Sequence, residues 1–414
     1  MRRIAPAIAA TVVAALALSG CSQPAAESNG PVELTMWAGF TGGDREAYEG
    51  LIEEFNATHD DIQVTMEVQP WDTIAQKLPS AWATGQGPDL ATPNFDSNIV
   101  AKYLDTSSLL ALDNVGDGDT QINADKLAPA AIDAFTVDGA LYAVPANIAT
   151  LQLYYNKALF EAAGIDGPPT TVDEFRDDAK SLTGDGVYGL SLADHETIQM
   201  WPILQWLDGG DVVDADGCSV LDSPANIESL TAWSKLVQDG VAPVGLTGAE
   251  SDALFSAGQA AMQLNGPWAA AGYTDAGIDL GVAAVPVGVD GPVTLGSTVP
   301  LAISAATKHP DEAQEFLAWW TGKDAQRQFA LVSGFPPVRT DLADDAELAA
   351  NPVVTAFAAA LPSARLWLPG VADATRVDSE VYVTLIGEIT RGSDVAGAVA
   401  AATDKVNAIT GCNG

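Results

Sequence analysis

Apolar positions along this chain follow two alternating rhythms. "VELTMW" (32–37) is a short apolar run rich in strand formers. In "DREAYEGLIEEFNATH" (44–59), Tyr48, Leu51, Ile52 and Phe55 fall at i, i+3, i+4 and i+7, one face of a helix. "IQVTMEVQ" (62–69) alternates again. "TIAQKLPSAWATG" reads as a helix through Ile74, Leu78 and Trp82, with a kink expected at Pro79. "DLATPN" reads as a buried strand. Strand–helix–strand–helix–strand predicts an α/β fold, a mostly parallel sheet with helices on both faces. The second half repeats this grammar. "ALYAVPANIATLQLYYN" (140–156) predicts a long extended stretch broken at Pro145, and "KALFEAAG" a short helix closed by Gly164. Thr171 and Glu174 form a capping box before "VDEFRDDAKSL". "VYGLSLA", "AAMQLNG" and "DLGVAAVPV" predict strands. "ANIESLTAWSKLVQDG" and "HPDEAQEFLAWWTGKDAQRQFA" each predict one helix, the latter long.

The first 20 residues stand outside this grammar. Arg2 and Arg3 precede the nearly unbroken apolar run Ile4–Leu18, which is short for a membrane span. Leu18-Ser19-Gly20-Cys21 closes the run and resembles the bacterial lipobox, whose cysteine becomes the lipidated first residue of the mature chain. Residues 1–20 are thus expected to be a signal peptide and 21–30 a flexible leash. The protein is expected outside the cytoplasm, anchored to the cell membrane through Cys21. Without Arg2 and Arg3, 16 basic residues face 55 acidic ones, a net charge of −39. That field repels a phosphate backbone, so nucleic acid is excluded as a partner. The basic residues are scattered, without a dense phosphate-binding patch. Two cysteines remain, Cys218 and Cys412, an even pair that predicts one disulfide in an oxidising compartment.

Catalytic signatures are missing. The three histidines have no zinc-ligand spacing, and there is neither a nucleophile elbow nor a Walker loop. "GDGVYG" (184–189) matches a glycine-rich fingerprint, but it follows a helix and precedes a strand, the reverse of a dinucleotide fold. "VVDADGCSVLDS" fails as a calcium loop, with Val212 first and Ser223 twelfth. No metal or cofactor is expected, and no enzymatic activity. Ten tryptophans stand out instead. Trp82, Trp233, Trp319 and Trp320 lie on helical faces and read as core. Trp37, Trp71 and Trp268 sit where elements end, with Trp201, Trp206 and Trp367 less clearly placed. In α/β sheets, ligands bind beyond the carboxyl ends of strands. An indole there offers a flat apolar face to a pyranose, whose hydroxyls need polar partners around it.

In order along the chain, "ELTMWAGF", "LIEEFNATHDDIQVTMEVQPWDTIAQKL", "ATGQGPDL", "LYAVPANIATLQLYYNKALFEAAGI", "LFSAGQAAMQLNGPW", "LAISAATKHPDEAQEFLAWWTGKDAQRQFA" and "SGFPPVRTD" resemble the extracellular solute-binding proteins of sugar ABC importers, the family that includes maltose-binding protein. The likeness spans about residues 18–410. At "DLATPNFDSN" it departs from the family pattern, where Asn94, Phe95 and Asp96 stand. The resemblance implies a two-lobe periplasmic-binding-protein-like fold (type II) that clamps a sugar between its lobes. Mapped here, the lobes are 31–146 with 288–338, and 147–287 with 339–414. The crossovers fall near Asn147–Thr150 and Pro286–Ser297. The ligand set it implies is Trp37, Phe40, Trp71, Asn94, Asp96, Asn147, Trp201, Trp268, Ser297, Trp367 and Arg376. The expected partners are a mono- or oligosaccharide and the permease subunits of the importer, with the receptor working as a monomer. A binder of a phosphorylated polyol such as glycerol 3-phosphate is the rival on the same fold, and a secreted glycoside hydrolase the rival from another class.

Overall fold

Among the described residues, twelve strands set the frame: β1 (Val32–Ala38), β2 (Ile62–Val68), β3 (Leu90–Ala91), β4 (Thr136–Val137), β5 (Ala140–Leu141), β6 (Ala143–Thr150), β7 (Gln152–Asn156), β8 (Tyr188–Ser191), β9 (Ala260–Asn265), β10 (Leu280–Ala283), β11 (Thr294–Ile303) and β12 (Ala364–Arg365). The computed structural model describes residues 30–93, 99–118, 120–196, 198, 200–369, 371 and 373–412. The signal segment, the Cys21 motif, Asn94 and Asp96 lie outside the described residues.

β1 pairs in parallel with both β2 and β3, while β11 runs antiparallel to β3 and β6. The helix Arg45–Thr58 buries Tyr48, Leu51, Ile52 and Phe55, the stripe its spacing predicts. These meet Leu34 and Met36 of β1 and Ile62 and Val64 of β2 in the first core. Each fully buried large side chain contributes about 1.5–3 kcal/mol relative to exposure. The second sheet has the order β10-β7-β9-β8, with β8 and β9 parallel. Its own core gathers Phe175, Trp201, Trp233, Tyr382 and Ile386.

Two connections join the sheets. β6 pairs with β11 through Thr150 opposite Gly296, and after Leu151 the chain enters the second sheet as β7. The extended stretch therefore breaks at Leu151 and not at Pro145. Pro145 is tolerated inside β6 because, among the described residues, β6 pairs with β11 alone, and the register shifts opposite it, between Val299 and Pro300. β11 makes the return crossing: Thr294 and Leu295 pair with β12, and residues from Gly296 on pair with β6. The helix Pro352–Ala360 seals this region. Thr150 Oγ1 donates to the Phe357 carbonyl (3.0 Å) and Gln152 Nε2 to that of Ala356 (3.3 Å).

Local expectations fare unevenly. Gly164 closes its helix in the left-handed region, and Thr171 with Glu174 forms the capping box. "GDGVYG" turns from helix into β8, with positive φ at Gly184, Asp185 and Gly186. The helix Trp71–Ala83 runs on through Pro79. The long helix expected near 310–330 is instead two, Pro310–Trp320 and Lys323–Ser333. Gly322 starts the second, and a side chain there would sit 2.8 Å from the Trp319 carbonyl oxygen. Cys218 and Cys412 are bridged, with Cα atoms 5.4 Å apart, tying the end of the helix Val395–Thr410 to the loop after Val212. Among the described residues, no helix is long and apolar enough to cross a membrane.

Candidate functional site

Because β1, β2 and β3 are parallel, their carboxyl ends open on one edge, where the loops after Ala38, Val68 and Ala91 gather. Trp37 is half-buried at the end of β1, its carbonyl accepting from the Thr92 amide at 3.0 Å. Trp71, also half-buried, opens the helix that follows β2. Its indole lies directly against Gly39, where any side chain would collide with it. Phe40 stands edge-on to Trp71, with centroids 5.9 Å apart.

Phe40 itself is a correction to the expected ligand set. It stacks flat on Tyr48, with centroids 3.5 Å apart, and is 2% exposed, so it backs Trp71 and leaves no face for a ring. Asn147 is also buried, its Nδ2 donating to the Tyr48 hydroxyl at 2.6 Å. It holds the aromatic stack in place from the crossover strand. Trp201 is a second correction. It is wholly buried in the second core, and its Nε1 donates to the Ala193 carbonyl at 2.9 Å. Its ring lies inside a helix, Met200–Leu207, of which every residue is buried.

The second sheet offers Trp268. β9 ends at Asn265, and Gly266-Pro267 turns the chain into the single turn Pro267–Ala269. The half-buried indole folds back over Gly266, so that a side chain at Gly266 would fall on the ring. Gly266 is gripped on both sides. Its amide donates to Asn265 Oδ1 (2.8 Å), and its carbonyl accepts from the Tyr154 hydroxyl (2.8 Å). Asn265 Nδ2 donates in turn to Asp252 (2.7 Å), which also accepts from Gln263 Nε2 (2.8 Å). Burial pushes the Asp252 carboxyl up, and these hydrogen bonds oppose the shift. Sequence periodicity does not reveal this network, because its members are polar and meet only once β9 and its flanking helices pack.

Trp367 is half-buried but belongs to another cluster. Its Nε1 donates to Asp378 at 2.8 Å, and its ring packs 4.9 Å from Tyr382 and 6.2 Å from Trp206. Asp378 lies in the π-helical segment Val377–Tyr382, a distortion frequent at functional sites. Arg376 is exposed and paired with Glu380 (2.9 Å). Ser297 is half-buried on β11, opposite Ala149 at the crossover. Lys102 Nζ, in the helix Ile99–Asp105, reaches Thr375 Oγ1 in the short helix Ala374–Arg376 (2.8 Å).

One site residue escaped the sequence reading. Asp44 precedes the helix Arg45–Thr58 yet gives it no side-chain cap, and it is 6% exposed. Burial pushes its carboxyl up to about 7, partly offset by its own amide. A methyl placed on Gly42 would lie 2.9 Å from Asp44 Oδ1 and 3.6 Å from Trp268 Cβ, so acid and indole flank the same glycine. The signal was the pair Gly42-Gly43 directly before a would-be capping acid.

The fold and this edge of loops define a two-sheet binding protein. Residues 50–356 match the model of the bacterial extracellular solute-binding protein family, and the chain belongs to that family. A putative binding protein of Brucella abortus (strain 2308) is 30% identical over 355 residues, covering 81% of this chain and 83% of the relative. The maltotriose-binding protein of Pyrococcus abyssi is 27% identical over 353 residues, covering 81% of this chain and 73% of the relative. The GacH receptor of Streptomyces glaucescens GLA.O, solved unliganded and with acarbose, superposes with a TM-score of 0.83 at 25% identity, covering 93% of this chain and 100% of that one. The fold is the two-lobe one of these binding proteins, and the family is one of extracytoplasmic receptors, not of enzymes.

Proposed function

We propose that this chain is a carbohydrate receptor that captures a mono- or oligosaccharide and delivers it to the permease of an ABC importer. The observation that carries this reading is Trp268, folded back over a clamped glycine near the buried Asp44, which gives its helix no side-chain cap. A pyranose needs that pairing: an apolar face to stack on and an acceptor for its hydroxyls. Trp37 and Trp71 supply further half-buried rings from the first sheet, and the maltotriose-binding relative supports an oligosaccharide ligand. The lobes in this reading are 31–146 with 288–338, and 147–287 with 339–414. Sugar contacts both, so it favours the closed arrangement. The receptor binds without turnover and works as a monomer.

A thermal-shift screen of sugars tests the proposal. At about 100 times Kd, a true ligand adds roughly 2.7 kcal/mol of stability. Stabilisation by phosphorylated polyols alone, or turnover of the hit, rejects it. The lipid anchor at Cys21 is part of the same reading, since tethering keeps the receptor near its permease. Cys21→Ala is expected to move the protein from the membrane fraction to the soluble one. Unchanged fractionation removes the anchor from the account.

A further inference from the structure

The loop after β1, Gly39-Phe40-Thr41-Gly42-Gly43-Asp44, carries three glycines, none with positive φ. Backbone freedom is therefore not their purpose, and space is. Gly39 makes room for the Trp71 ring within its own half of the molecule. Gly43 faces the other half. A methyl on it would lie 3.0 Å from the Trp268 carbonyl oxygen, 3.2 Å from the Gly272 amide nitrogen and 3.6 Å from the Gly272 Cα. Those atoms are backbone, in the turn Pro267–Ala269 and the helix Ala270–Asp275 that follow β9. They cannot rotate aside as a side-chain end can. Trp268 meanwhile packs against both main cores, and its ring lies 6.4 Å from Phe335 of the first.

We propose that Gly43 is the closure stop of the receptor, the point where the two halves meet backbone to backbone, and that its missing side chain sets how far they close. The inference rests on the receptor reading above. A side chain at Gly43 holds the halves apart by a few tenths of an ångström or more. It leaves both halves intact, because Gly43 is exposed on the loop after β1. Since only the closed arrangement touches ligand from both sides, apparent affinity falls by the fraction of closed-competent protein lost.

The test compares wild type with Gly43→Ala and Gly43→Val, using the sugar found by the screen, with titration calorimetry and an unliganded denaturant melt for each. Gly43→Ala is expected to bind about tenfold more weakly and Gly43→Val more weakly still, with unliganded midpoints unchanged. Wild-type affinity in Gly43→Val overturns the closure stop, as does a lowered unliganded midpoint in Gly43→Ala, which would place the glycine in the fold of one half. A wild-type chain that binds no sugar overturns the receptor reading itself, which is a separate outcome.

Discussion

Trp268→Ala is expected to weaken sugar binding about thirtyfold, the loss of a hot-spot contact of roughly 2 kcal/mol. The ring is half-buried, lies over Gly266, and faces the Gly42–Asp44 loop of the opposite half. The geometry also adds a cost in stability. Because Trp268 packs against the core of its own half and a smaller cluster beside it, its removal destabilises the unliganded protein. That cost stays below the roughly 3–5 kcal/mol of a fully buried aromatic, since part of the ring is open. Titration calorimetry beside a denaturant melt separates the two effects. Normal binding by the variant removes Trp268 from the site, and a melt lowered by the full core value makes it a core residue.

Replacing Cys218 and Cys412 by serine is expected to cost as much as about 5 kcal/mol. The bridge closes a loop across a sequence separation of 194, and in the chain-entropy model such a loop lies near the top of the range. Structure left in the unfolded chain reduces the figure. What the serine variant keeps is local: the Ser219 amide still donates to Asn407 Oδ1 (2.8 Å), and Ser219 Oγ still meets Thr403 Oγ1 (3.5 Å). These bonds hold the loop on the last helix but do not constrain the unfolded state. A denaturant melt unchanged from wild type contradicts the expectation.

Elements with a local signature were readable from the chain. The stripe of the helix Arg45–Thr58, the capping box at Thr171 and the strand before Gly266-Pro267-Trp268 each announce themselves within a short window. What failed depends on contacts distant in sequence. The family resemblance puts Trp201 in the ligand set, yet Ala193 and the second core enclose it. Phe40 follows the first strand like a cleft residue, and Tyr48 takes its face. Pro145 suggests a break, but an edge strand has no need of its missing amide. Asp44 looks like an ordinary cap, and only the folded loop shows that it caps nothing. The tryptophans at the strand ends were legible because indoles there are uncommon in a periodic core. The network behind Trp268 was not, because Asp252, Gln263, Asn265 and Tyr273 carry no pattern until they meet.

The most direct test of the receptor account is titration calorimetry of the mature chain with the sugar that stabilises it most, followed by chromatography of the recovered ligand. The account predicts saturable binding of one sugar per chain, with the sugar returned unchanged. Absence of heat with every sugar that is tried, or recovery of a cleaved product, contradicts it.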